Sequence, residues 1–196
     1  MLRLATVVLL VAGAVTLSAS QRTAKDNAFP NTKPNGRATV EYKDDKAQAV
    51  AIYDYSQRNH DGPWLLIQIG VALRERGDIT RASFSLVMPD GRAVALATQE
   101  QFLEDAALTA KLRQNASIFQ RPVLSYFPES ATGESLRWFV LPGEGTVRSL
   151  AVIPAEHGVV LGELYFTSPT RRWDAGTYRL VFDNEKGHAE LPILLE

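Results

Sequence analysis

His60, His157 and His188 are the three imidazoles of this chain, which has no cysteine, so nucleophilic or metal chemistry must be assembled from few parts. Hydrolysis through an activated nucleophile needs a nucleophile, a base and an orienting acid within mutual reach. No serine stands in a Gly-x-Ser-x-Gly turn. His60 lies in Asn59-His60-Asp61-Gly62-Pro63 and His157 in Glu156-His157-Gly158, both of turn composition, and each reads as a solvated loop histidine. Zinc lacks a thiolate, and the histidines are too far apart in sequence to form a ligand pattern. For calcium, Asp44-Asp45 between Lys43 and Lys46 reads as a charged hairpin turn, and Asp183-Asn184-Glu185 as a turn between strands. Neither offers the alternating oxygen ligands of a calcium loop. A carboxylate pair for glycoside hydrolysis is defined by distance in space, and Glu104 and Asp105 are accounted for by a helix dipole. No catalytic, cofactor-binding or metal-binding residue is predicted, and the expectation leans away from an enzyme.

Aromatic residues carry the clearest suggestion of binding. Tyr53 and Tyr55 share one face of an alternating segment, Trp64 opens the next, and Trp173 sits beside Arg171 and Arg172. Flat rings on an exposed face can stack on sugars or anchor a protein partner. The competing expectation is that these rings pack in the core, as large rings more often do.

These residues must be positioned by a chain that begins with an export pattern. Arg3 is the only charge before residue 22, Leu4 to Val15 is apolar apart from one Thr and one Gly, and Leu17-Ser18-Ala19-Ser20 supplies small residues for cleavage. This predicts a signal peptide over residues 1–20, cut after Ala19 or Ser20. The run is shorter than the roughly 20 apolar residues of a membrane span, so no span is expected after cleavage. The missing cysteine excludes a lipid-modified start, disulfides and thiolate metal sites, which together point to a bacterial periplasmic or secreted protein.

The formal charge of −1 falls by one more when the segment holding Arg3 is removed. No basic footprint for nucleic acid or an anionic membrane exists. Hydrophobic residues at 45% and charged residues at 22% suit a globular domain that folds on burial alone.

Residues 21–36, polar and carrying two prolines, read as a flexible arm. From Arg37 the pattern is mostly period two. Ala47 to Tyr55, Trp64 to Ala72, Phe84 to Met88 and Ala93 to Ala97 are expected strands, with Pro89-Asp90-Gly91 turning the last pair into a hairpin. Further strands are expected at Val123 to Phe127, Leu136 to Leu141, Thr146 to Ile153, Val159 to Thr167, Thr177 to Asp183 and Ala189 to Leu195. One helix, capped by Thr98 with Gln101 at the reciprocal position, is expected over about residues 99–114. Many short strands and one helix predict a mainly β fold, a β-sandwich.

Asp174-Ala175-Gly176-Thr177-Tyr178-Arg179-Leu180 resembles the Asp-x-Gly-x-Tyr corner of immunoglobulin-like domains. The resemblance covers roughly the last sixty residues. It implies that the Tyr178 hydroxyl turns back onto the corner backbone, with Asp174 and Gly176 forming the corner and Leu180 facing the core. It also implies Leu161 to Thr167 as strand E, Thr177 to Asp183 as strand F, and Trp138 in the role of the buried Trp of strand C. The cysteine pair of antibody domains is missing, and the helix exceeds what that fold needs.

The expected organisation is one enlarged immunoglobulin-like β-sandwich over residues 37–196 with the helix inserted. Two small β domains, 37–97 and 120–196, are the alternative. The function expected is that of an exported non-catalytic module binding an envelope protein or polysaccharide. The alternatives are an extracytoplasmic hydrolase whose acids, or His and carboxylate, come from distant strands, and a structural subunit of a larger envelope assembly.

Overall fold

Alternating apolar residues draw most of the chain into strands. The computed structural model describes residues 28–119, 121–153 and 158–196. The signal segment, residues 21–27 of the arm and His157 lie outside them. Within them, Asn31–Glu196 forms one compact unit. The strands are β1 (Thr32–Pro34), β2 (Thr39–Lys43), β3 (Ala47–Ile52), β4 (Trp64–Leu73), β5 (Gly77–Thr80), β6 (Phe84–Val87), β7 (Ala93–Ala95), β8 (Thr132–Ser135), β9 (Leu150–Ile153), β10 (Gly158–Thr167), β11 (Gly176–Asn184) and β12 (Gly187–Leu195).

They form a six-stranded sheet in the order β1-β2-β3-β4-β10-β8, a four-stranded sheet in the order β12-β11-β6-β7, and the pair β5-β9. Pairing is antiparallel except between β8 and β10, which run parallel. Strands from both halves of the chain interleave, since β4 pairs with β10 and β6 with β11. The segments 37–97 and 120–196 therefore share their sheets rather than forming one each.

Alternation explains the layering. Leu65, Ile67, Ile69 and Val71 of β4 are fully buried and belong to the same core cluster as Leu86 of β6, Leu180 and Phe182 of β11 and Leu191 and Ile193 of β12. The intervening positions of β4 face the other way. There Gly70 leaves room for Phe127, whose Cε2 would stand 2.7 Å from a Cβ at that position. Phe127 joins Val50, Ile52 and Val159 in a second, smaller cluster.

Several expectations change. The strand expected over Ala47 to Tyr55 ends at Ile52, so Tyr53 and Tyr55 follow it instead of sharing its face, and the one expected over Thr146 to Ile153 begins at Leu150. The arm was expected to run to residue 36, but β1 pairs with β2 inside it, with Thr32 opposite Tyr42. The helix was expected to be continuous, yet it divides into α1 (Gln99–Glu104) and α2 (Ala106–Ser117). The Thr98–Gln101 capping box forms as its sequence predicts, with Gln101 N donating to Thr98 Oγ1 at 3.1 Å. The break falls at Asp105, whose carboxylate accepts the Trp64 indole N–H at 2.9 Å and whose backbone leaves the helical region at φ −106, ψ 31.

Val123 to Phe127 forms a 3₁₀ turn over Val123–Tyr126 instead of a strand, because Ser125 donates both its amide and its hydroxyl to Pro122 O. Leu136 to Leu141 is also not a strand, so Trp138 does not lie on one. Side chains replace the ladder there. Arg81 donates to Trp138 O, Arg113 donates to Phe139 O, and Gln99 bonds both the amide and the carbonyl of Val140.

Candidate functional site

Cross-strand pairing puts Gln68 opposite Glu163 and Leu66 opposite Tyr165, on the face of the six-stranded sheet opposite to that of Leu65, Ile67 and Ile69. Helix α2 and the 136–145 loop come over this face, and a cleft of about 330 Å³ remains, lined by Gln68, Arg113, Leu136, Trp138 and Glu163 among others. Arg113 is its organising residue. Its Nε donates to Tyr165 Oη at 3.1 Å and lies 3.1 Å from Glu163 Oε2. Its two terminal nitrogens donate to Glu144 Oε2 at 2.7 Å and to Phe139 O at 3.1 Å. Tyr165 Oη donates to Glu163 Oε2 at 2.7 Å, while its fully buried ring packs edge-on to Phe102 and Phe139, each 4.9 Å away.

The electrostatics lock these charge states. Burial opposes the Arg113 charge, but Tyr165, Glu144 and Glu163 around it hold its pKa above the ordinary guanidinium value. Burial, reinforced by the Glu163 charge, pushes the Tyr165 phenol well above its ordinary value. The Leu141 amide and then Arg113 hold the Glu144 carboxyl below the usual range, against slight desolvation. Near neutral pH, Tyr165 keeps its proton and Glu144 has none to give. General acid–base work needs a group poised near the working pH, and these three are driven away from it.

A second concavity, of about 190 Å³, runs between α2 and the connection from β3 to β4. Tyr55, Trp64, Leu108 and Leu112 supply its apolar parts, and Asn59, Asp61, Lys111 and Asn115 its polar ones. The helix places Leu108, Lys111, Leu112 and Asn115 along one side at three- and four-residue spacing. The connection is held rigidly opposite. Ser56, fully buried, donates to Leu66 O at 2.8 Å and accepts from Leu66 N at 3.0 Å. Asn59 Nδ2 donates to Tyr55 O at 2.8 Å, and Asn115 Nδ2 to Tyr55 Oη at 3.4 Å. Among the described residues Asp61 and Lys111 have no ion-pair partner.

The aromatic residues singled out from sequence divide. Tyr53, Trp64 and Trp173 are buried, at 6%, 5% and 1% exposure, so none stands as a flat ring on an exposed face, although Trp64 forms part of the lining of the second groove. Their polar ends are turned inward: Trp64 bonds Asp105, and Trp173 Nε1 donates to Pro63 O at 3.3 Å. Tyr55 alone of the four remains half-buried, and it lies in the second groove. Arg171 and Arg172 are exposed, but the expected grouping with Trp173 fails because that ring packs edge-on to Tyr178 at 5.7 Å. Arg172 Nε lies 3.5 Å from Asp174 Oδ1.

At the corner, Tyr178 Oη donates to Asp174 O at 2.9 Å. Gly176 there adopts φ +153, a conformation that side chains rarely accept, and a Cβ would stand 3.1 Å from Pro89 Cγ. His60 is not a free loop histidine. Its ring nitrogens lie 2.8 Å from Trp173 O and 2.7 Å from Glu196 O, so it fastens the β3–β4 connection to two remote segments. His188 lies exposed, 3.2 Å from Asp183. Arg113, Glu144, Glu163 and Tyr165 escaped sequence reasoning. The alternation that puts Glu163 and Tyr165 on one strand face was visible, but nothing local links them to an arginine 52 residues from Tyr165. Among the described residues no group of three or more His, Asp or Glu could hold a metal ion. Comparison with known proteins gave no match to a family model, a curated protein or a solved structure.

Proposed function

We propose that this chain is an exported, non-catalytic module of immunoglobulin-like β-sandwich architecture that binds another component of the bacterial envelope, in the periplasm or outside the cell. The carrying observation is the Arg113 cluster. The cleft of about 330 Å³ has Arg113 paired internally with Glu163, Glu144 and Tyr165, and the charge states of Arg113, Tyr165 and Glu144 are held away from neutral-range proton transfer. Such a cleft is a clasp that stiffens a scaffold, and a stiff scaffold suits recognition.

Strand order supports the architectural part of this reading. With β10, β11 and β12 as strands E, F and G, the order β12-β11-β6-β7 corresponds to G-F-C-C′, and β3-β4-β10-β8 to A-B-E-D. The Tyr178–Asp174 hydrogen bond is of the kind the corner motif implies. Two departures accompany it: β8 runs parallel to β10, and Trp138 packs from a loop against Phe84 of β6 at 5.8 Å, instead of standing on strand C. Export rests on the apolar segment that follows Arg3.

The test is cross-linking in the periplasm followed by capture of the full chain, with retention on cell-wall and glycan resins in parallel. The expected result is a specific envelope partner or saturable retention, on a protein whose mature N-terminus lies near Ser20 or Gln21. Failure of both capture and retention overturns the proposal.

A further inference from the structure

We infer that the groove between α2 and the β3–β4 connection is a subsite for one neutral sugar residue of a polysaccharide. This rests on the binding-module reading and names its ligand and the surface that holds it. The argument starts from which polar groups are already engaged. Arg113 in the larger cleft donates to three internal acceptors, so a ligand there would have to displace internal bonds. In the groove the balance is reversed. Asp61 and Lys111 have no ion-pair partner among the described residues, and both side chains are exposed. Asn59 and Asn115 each use an amide N–H on Tyr55, which leaves their carbonyl oxygens as acceptors. The Tyr55 hydroxyl accepts from Asn115 and retains a proton to donate.

The pattern matches the two-sided chemistry of a sugar ring, whose edge is a ring of hydroxyls and whose face is C–H. Acceptors and donors on both walls can meet the hydroxyl edge. The Tyr55 ring and Leu108, the latter 49% exposed, offer an apolar surface to the face. One carboxylate against one ammonium leaves the groove with no net charge, which favours a neutral residue over a polyanion. A volume of about 190 Å³ suits a single ring and not a folded partner. The walls are fixed before binding by the Ser56–Leu66 bonds, the Trp64–Asp105 bond and the His60 contacts, which lowers the ordering cost of capture.

The experiment is calorimetric titration of the full chain with cellotetraose, maltotetraose and tetra-N-acetylchitotetraose, with an oligogalacturonate as the anionic comparator. The expected result is saturable binding of at least one neutral tetrasaccharide, stronger than that of the anion. Asp61→Ala and Lys111→Ala, both at exposed positions that do not threaten folding, should each weaken it roughly 5- to 10-fold. Tyr55→Ala should weaken it at least as much, while Tyr55→Phe keeps the ring and loses less. No saturable neutral binding, tighter anion binding, or unchanged affinity in both exposed-site variants overturns the assignment. Retention on cell-wall material that these variants leave untouched sinks the groove alone and leaves the module reading standing. Loss of all retention and capture sinks both.

Discussion

Replacing Arg113 with Met keeps a long aliphatic stem across the cleft and deletes the guanidinium that joins helix α2, strand β10 and the 139–144 loop. Breaking one side of a buried, hydrogen-bonded ion pair costs about 3–5 kcal/mol. Here the Arg113 and Glu163 side chains keep 22% and 24% exposure, so water relieves part of that penalty. The expected loss is therefore about 2–3 kcal/mol. At a urea slope of about 2–3 kcal/mol per molar, the unfolding midpoint falls by roughly 1 M. The chain carries three tryptophans, so intrinsic fluorescence reports the transition directly. Arg113→Lys should recover little, because an ammonium cannot present a planar fork to Tyr165, Glu144 and Phe139 O together. The partners can be ranked as well. Glu144 is 43% exposed, so Glu144→Gln should cost under about 1 kcal/mol. A double-mutant cycle should give stronger coupling of Arg113 to Glu163 than to Glu144. A midpoint for Arg113→Met indistinguishable from wild type, or the reverse order of couplings, would refute the reasoning that makes this cluster a clasp.

Gly70→Ala should destabilise by about 1–3 kcal/mol, because its Cβ would stand 2.7 Å from Phe127 Cε2 and 2.8 Å from Val123 Cγ1. Gly62→Ala, with no atom within 4 Å of the new carbon, is the matched control, and equal midpoints for the two would contradict the packing described. Stability should also fall at both pH extremes. Tyr165 has a raised folded pKa, so its contribution is complete below the unfolded value of 10.0 and is lost as pH rises through and beyond it. Glu144 has a lowered one, so its contribution is present above the unfolded value of 4.5 and is lost as pH falls below it. Urea midpoints against pH check both signs, and Tyr165→Phe should flatten part of the alkaline limb.

The strands that proved legible are those whose partners need only period-two burial. In β4, β6, β10, β11 and β12 one face meets a common core, and alternation alone reports that. Leu136 to Leu141 misled because its alternation is real while side chains, not a strand ladder, bond the backbone of Trp138, Phe139 and Val140. Gln99 and Arg113 reach it from other elements, and no local pattern records their arrival. The helix break has the same origin, since Asp105 is drawn out by an indole 41 residues upstream. Aromatic rings gave only half an answer. Composition marks Tyr53, Tyr55, Trp64 and Trp173 as large apolar surfaces, but whether a ring serves the core or a partner depends on which elements close over it. Only at Tyr55 does the cover remain incomplete.

The Trp64–Asp105 bond connects these local failures to the groove. Trp64 is 5% exposed, so its indole N–H needs an acceptor inside the protein, and leaving it unpaired would cost about 1–3 kcal/mol. Asp105 provides that acceptor by abandoning helical geometry, which ends α1 and lets α2 begin on a new course with Thr109 buried and bonded back to Asp105 O. From that start, helical spacing sets Leu108, Lys111 and Asn115 along the groove opposite the Tyr55 connection. The same bond therefore satisfies a core tryptophan, interrupts the expected helix and determines which side chains line the wall. In the proposed groove, Trp64 thus contributes to the lining and also sets the direction of α2.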